Sequence, residues 1–138
     1  MSQENVEVVR RALDARNRGD IDAALENLHP DVELDWSQSR GAAGGMVQAV
    51  IQGRDHVRER LGEFLEMWEE VTWEVEEILE AGPDQVIAVD RLRVSGRDGI
   101  ELNVTAAALL WTLSGGQVVR VKYFPSKEAA LDAAGLSE

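Results

Sequence analysis

Apolar positions recur along this chain first at helical spacing and later in alternation. In "SQENVEVVRRALDARNRGD", Val6, Val9, Ala12 and Leu13 fall on one stripe, which predicts an amphipathic helix stopped by Gly19. Asp20 caps a second, short helix with Ile21, Ala24, Leu25 and Leu28 inward. It ends at "HPD", because the residue before Pro30 is pushed out of the helical region. "DVELDW" alternates as a strand does. "SQSRGAAGGMVQAVIQG" has no period and reads as a loop ending at Gly53. Asp55 then caps a third helix, "HVRERLGEFLEMWEE", whose stripe is Val57, Leu61, Phe64, Leu65 and Trp68. The strands "VTWEVEEIL", "QVIAVDRLRVS", "IELNVTAAALLWTL" and "QVVRVKYF" follow, separated by the turns "AGPD", "GRDG" and "SGG". "PSKEAALDAAGLSE" closes with a short helix stopped by Gly135.

Helices early and antiparallel strands late predict an α+β fold, with the helices packed on one face of a curved sheet. Neither a repeat nor a linker interrupts the pattern, so residues 1–138 read as one domain. One strand breaks the alternation. Between Leu102 and Leu113 only Asn103, Thr105 and Thr112 are polar. A strand with one wet face would alternate, so both faces of this one need cover. By parity, Asn103, Thr105, Ala107, Leu109 and Trp111 share one face. Leu102, Val104, Ala106, Ala108 and Leu110 share the other, which is too apolar to leave wet over a central strand. That second face is the expected interface of a homodimer.

Charge narrows the partners. The chain carries 26 Asp and Glu against 14 Lys and Arg, a net charge of −12. Such a surface repels phosphate backbones and anionic lipid, so neither nucleic acid nor a membrane is an expected partner. The absence of cysteine excludes disulfides and thiolate chemistry. "MSQENVEVVRRAL" does not have the form of a signal peptide, and no stretch reaches transmembrane length, so the expected location is the cytoplasm. His29 and His56 lack metal-ligand spacing, and "SGGQ" and "GAAGGM" lack the context of a phosphate loop. No metal and no cofactor is expected.

The strings "RNRGDIDAAL", "HPDVEL", "IQGRDHVRE", "LLWTLSGGQVVRV" and "EAALDAAGL", in this order and spacing, resemble SnoaL-like proteins of the nuclear transport factor 2-like superfamily. The resemblance covers nearly the whole chain. It implies a cone: a strongly bent antiparallel sheet wrapped around three N-terminal helices, with a pocket at the open end and dimers through the outer face. Members include ketosteroid isomerases, polyketide cyclases, limonene-epoxide hydrolases, dehydratases and non-catalytic association domains, so the fold alone does not name an activity. The isomerase base, tyrosine and donor aspartate correspond to Trp36, Ala12 and Leu109 here, which makes that mechanism unlike this chain's. The hydrolase Asp-Arg-Asp arrangement is matched in part by Asp90 with Arg91 and Arg93; its second Asp falls near Tyr123 and is absent.

Asp90 shares its parity with Val86, Ala88, Leu92 and Val94. An acid in that company must be paired or protonated. It is either a functional acid or the partner of a cation on a neighbouring strand, near Lys122. The expected pocket joins Trp36, Met67, Trp68, Asn103, Thr105, Leu109, Trp111 and Val121, with Asp90 and Tyr123 as the catalytic candidates. Its ligand would be a small, largely apolar ring compound, and its chemistry cofactor-free acid–base catalysis. The alternative is a non-catalytic dimeric binding or association module that has lost the family's catalytic residues. The loop from Ser39 to Gly53 is a candidate lid over the pocket mouth.

Overall fold

The first helix, α1 (Ser2–Asn17), buries Val8, Val9, Ala12, Leu13 and Ala15, the stripe its spacing predicts. It stops at Gly19, whose φ of 78° is a left-handed conformation that a residue with a Cβ rarely adopts. Asp20 caps α2 (Ile21–Leu25) by accepting a hydrogen bond from the Ala23 N–H at 3.1 Å. These positions belong to a computed structural model that describes residues 2–36, 50–96 and 98–135, with the side chains of residues 2, 102 and 104–107 outside that set.

Next come β1 (Leu28–Asp35), β2 (Val50–Gln52), α3 (Arg54–Met67), β3 (Glu70–Gly82), β4 (Gln85–Ser95), β5 (Glu101–Ser114), β6 (Gln117–Phe124) and α4 (Lys127–Ala133). Several boundaries differ from those read in the sequence; the third helix, for one, ends at Met67, so Trp68 lies beyond it in extended backbone. β1 already begins at Leu28, since extended backbone accommodates the missing N–H of Pro30 at a strand start. The end of the expected loop is β2, which pairs antiparallel with β1, Leu34 opposite Ile51. The candidate lid from Ser39 to Gly53 therefore includes a paired strand, and its residues 39–49 lie outside the described residues. Finally, Gly53 with φ 99° holds the N-cap of α3, and Asp55 lies in the first turn. A carboxylate there still complements the helix dipole.

The six strands form one curved sheet in the order β2-β1-β6-β5-β4-β3. β3 to β6 make an antiparallel meander, while β1 joins β6 in parallel. α1 lies against β3 and β4, and α3 lies against β1 and β2. The concave face holds the main core, where Val86, Ala88, Trp111, Val118 and Val121 meet Val9 and Leu13 of α1. Ile87, Val89, Ala108, Leu110 and Phe124 occupy the opposite face in a second cluster with Ala130 of α4. Within this range Leu109 and Trp111 do face opposite to Ala108 and Leu110, as parity requires.

At Ala108 and Leu110 the greasy second face of β5 is thus covered within the chain. Ala108 is fully buried and Leu110 is 6 % exposed, both in the cluster that α4 closes. For these two residues the expected role as an open dimer face is corrected: a C-terminal helix is already there. The side chains of Leu102, Val104 and Ala106 lie outside the described residues. α4 is fastened by its Ser126 cap, whose Oγ accepts from the Ala129 N–H at 3.1 Å, and by Lys127–Glu77 at 2.8 Å. Replacing Ser126 with Ala should lower the unfolding free energy by about 1 kcal/mol in denaturant titration.

A bulge between β4 and β5 limits the parity argument. Asp90 pairs with Ala107, but Leu92 pairs with Val104, so β5 carries one extra residue there. Alternation counted back from Leu109 is therefore out of step beyond the bulge. No helix among the described residues is long and apolar enough to cross a membrane.

Candidate functional site

Asp90 sits near the middle of β4 and is 5 % exposed. Its strand neighbours are Val75 on β3 and Ala107 on β5. The partner is neither Lys122 nor a neighbouring strand: Arg16, in the last turn of α1, places Nη1 2.9 Å from Asp90 Oδ2. The Arg16 guanidinium also stacks 4.4 Å above the Trp73 ring of β3. Its Nε and Nη2 donate to Asn17 Oδ1 at 3.3 and 3.1 Å. Trp73 in turn packs on Phe64 of α3, ring centroids 6.3 Å apart. The base of α1, the edge of the sheet and α3 therefore converge on one buried ion pair.

The pair is imperfectly satisfied. Asp90 Oδ1 is buried without a hydrogen-bond partner among the described residues. Burial holds the Asp90 carboxyl above its ordinary value, and Arg16 opposes that shift. The Arg91 backbone N–H pulls the same way as Arg16 without meeting hydrogen-bond geometry, and Glu76 adds to the upward shift. Burial lowers Arg16, again against the attraction of its partner. A lone buried acceptor costs about 1–3 kcal/mol. A fold tolerates that most readily where the group has a task.

Across the concave face, Leu109 of β5 pairs with Ala88 on one side and Tyr123 of β6 on the other. Tyr123 stacks on Trp36, just beyond β1, with centroids 5.5 Å apart. Trp36 and Leu109 are half-buried against the main core. Asp90, Leu109, Tyr123 and Trp36 thus line one side of the sheet. Trp111 and Val121 lie on the same side but deeper, 7 % and 4 % exposed as core residues. Trp111 Nε1 is a buried donor without a partner among the described residues.

Other expected pocket residues go elsewhere. Met67 is 67 % exposed, because it ends α3 well off the stripe of Val57, Leu61 and Phe64. Trp68 turns its ring toward the β4–β5 hairpin, where it is close to Gly96, and its buried Nε1 is also unpartnered among the described residues. Asn103 is exposed and accepts from Arg93 Nε at 3.3 Å, carried out of the pocket by the bulge. The side chain of Thr105 lies outside the described residues. Arg91 pairs with Glu76 at 3.0 Å, and Arg93 reaches Glu101 at 4.0 Å, so neither accompanies Asp90. Lys122 approaches Asp35, as does Arg120, at 3.9 and 3.5 Å.

Arg16 is the residue that sequence reading missed. A signal was present: it follows Leu13 by three positions and Ala12 by four, so it extends the buried stripe of α1 with a charge. A cleft of about 370 Å³ between α1 and β3, lined by Leu13, Asn17, Trp73 and Val75 among others, opens beside the cluster. A larger cleft of about 490 Å³ lies at the β3–β4 and β5–β6 turns and includes none of the expected site residues. No group of three His, Cys, Asp or Glu side chains suited to a metal occurs among the described residues. His29 Nδ1 accepts from the Asp31 N–H, His56 Nδ1 bonds the Gln52 carbonyl, and Arg54 donates to the Leu28 carbonyl.

The model of the SnoaL-like domain matches residues 9–121, most of the chain. The chain belongs to the SnoaL-like family. Ala12 lies in the concave core, with Trp36 and Leu109 packed against it, and none brings an ionisable group. Solved structures agree on the fold. TerC, co-crystallised with polyporic acid, superposes with a TM-score of 0.75 at 19% identity, covering 96% of this chain and 98% of that one. A protein of unknown function with the nuclear transport factor 2-like fold, from Burkholderia pseudomallei K96243, gives 0.74 at 21% identity, covering 87% and 88%. A candidate SnoaL-like polyketide cyclase from Jannaschia sp. CCS1 gives 0.71 at 21% identity, covering 99% and 94%. A comparison with curated proteins found no match. Within this SnoaL-like frame, the Arg16–Asp90–Trp73 cluster combines a buried ion pair with an aromatic face.

Proposed function

We propose that this SnoaL-like protein binds a small, largely apolar ring compound on the concave face of its sheet and acts on it by cofactor-free acid–base chemistry. The observation that carries the proposal is Asp90: one carboxylate oxygen is held by Arg16, and the other is buried with no hydrogen-bond partner among the described residues. A carboxylate so held is a fixed acceptor for a ligand O–H, or a base for a proton the ligand releases. Leu109, Trp36 and Tyr123 supply the apolar and aromatic wall, with the Tyr123 hydroxyl as a second polar group. The co-crystallisation of TerC with polyporic acid supports a small-molecule ligand for a protein of this fold.

Titration with hydroxylated naphthalenes and anthraquinones, followed by tryptophan fluorescence, tests the reading. Saturable quenching is expected, and Asp90→Asn should weaken it about tenfold, ~1.4 kcal/mol. If no compound in the panel quenches, the proposal fails. The second reading, a non-catalytic association module, has its own support: Trp111 is buried in the core and Trp36 packs on Tyr123, filling part of the concave side. It expects no ligand, and a dimer in sedimentation.

A further inference from the structure

The proposed site leaves open which polar group its ligand presents. We propose that Arg16 is a positioning residue that makes the site select hydroxyl donors over carboxylates. The inference rests on the ring-compound reading above and deepens it.

An arginine in a pocket usually suggests an anionic ligand. Here each of the three guanidinium nitrogens already has a partner inside the protein: Nη1 on Asp90, and Nε and Nη2 on Asn17. The cation's face is covered by Trp73. Arg16 therefore acts through Asp90. It holds Oδ2 and favours the ionised form, leaving Oδ1 as the acceptor without a partner among the described residues. An acceptor that carries negative charge rewards an O–H and repels a carboxylate, strongly so where water is scarce. The excess of acid over base across the chain, −12 net, reinforces the repulsion.

The charged groups acting on Asp90 are Arg16 from α1 and Glu76 from β3, the latter paired with Arg91 of β4 itself. Ionised, Asp90 accepts more strongly than the protonated acid does and presents no O–H of its own. Binding of a hydroxyl ligand should therefore weaken as pH falls through its raised value. Without Arg16 the carboxyl rises further, so the loss should begin at higher pH.

A matched probe pair decides the matter: 2-naphthol, neutral at pH 7, and 2-naphthoate, ionised at pH 7. Both are titrated against the full chain and against Arg16→Gln and Arg16→Lys, whose folding is checked by circular dichroism. The expected result is naphthol bound at least tenfold more tightly than naphthoate by the unmodified protein. Arg16→Gln should reduce that preference and move the acid limb of naphthol binding to higher pH. Arg16→Lys, which keeps the charge, should restore the limb. If the unmodified protein binds naphthoate as tightly as naphthol, the selectivity inference is overturned while the ring-compound reading stands. An acid limb unmoved in a folded Arg16→Gln protein also overturns it. Binding of neither probe overturns both.

Discussion

Arg16→Ala should lower the unfolding free energy by about 3–5 kcal/mol at neutral pH, the cost of leaving one member of a buried ion pair alone. The geometry explains the size. Asp90 is 5 % exposed, its Oδ1 is already without a partner among the described residues, and Arg16 supplies the contact to Oδ2. Removing Arg16 also uncovers the Trp73 ring, 4.4 Å beneath the guanidinium. The pH dependence separates these contributions. Because burial raises Asp90 above its ordinary value, the folded protein holds that proton to higher pH than the unfolded chain does. Ionising Asp90 therefore costs stability as pH rises from its unfolded value through its folded one, and the loss extends to higher pH when Arg16 is absent. Denaturant titrations of both proteins should show the gap widest near neutrality. It should narrow in acid, where Asp90 is neutral and only the Trp73 contact is missing. A gap independent of pH would show that the guanidinium acts by packing alone.

Ala130→Glu is expected to have the other large effect, on α4. Ala130 is fully buried against the second cluster, and a carboxylate there has no cation in the contacts described for it. The charge cannot remain in that environment, so the helix should undock. Undocking uncovers Ile87, Leu110 and Phe124; at roughly 1.5–3 kcal/mol for each large side chain, even a partial loss exceeds about 3 kcal/mol. The exposed strip would then seek another cover. Thermal unfolding should show a large drop in Tm, and sedimentation should show self-association above that of the unmodified protein. A variant with unchanged Tm and sedimentation would mean that α4 contributes little to covering this face.

Much of the fold was readable before any coordinates because its signals are local. The stripe in α1, the Asp20 and Ser126 caps, the left-handed glycines after α1 and α4, and the alternation in β3 each depend on residues a few positions apart. β2 was missed because three residues carry too little pattern to stand out, and only the neighbouring β1 makes them a strand. Asn103 was misplaced for a related reason. Parity carries along a strand only while no residue is inserted, and the β4–β5 bulge depends on the pairing of two strands.

The sequence by itself determined the order of elements apart from β2, the α+β class, and the two faces of β5 from Ala108 to Trp111. Those properties follow from periods of 2 and 3.6 and from the cost of leaving apolar surface wet. Only the tertiary structure decided what meets those faces. It put α4 over Ala108 and Leu110, and Arg16 rather than Lys122 against Asp90. An ion pair joining residues far apart in the chain has no local pattern. It exists because α1 crosses the sheet at one particular angle, and packing of the whole core sets that angle.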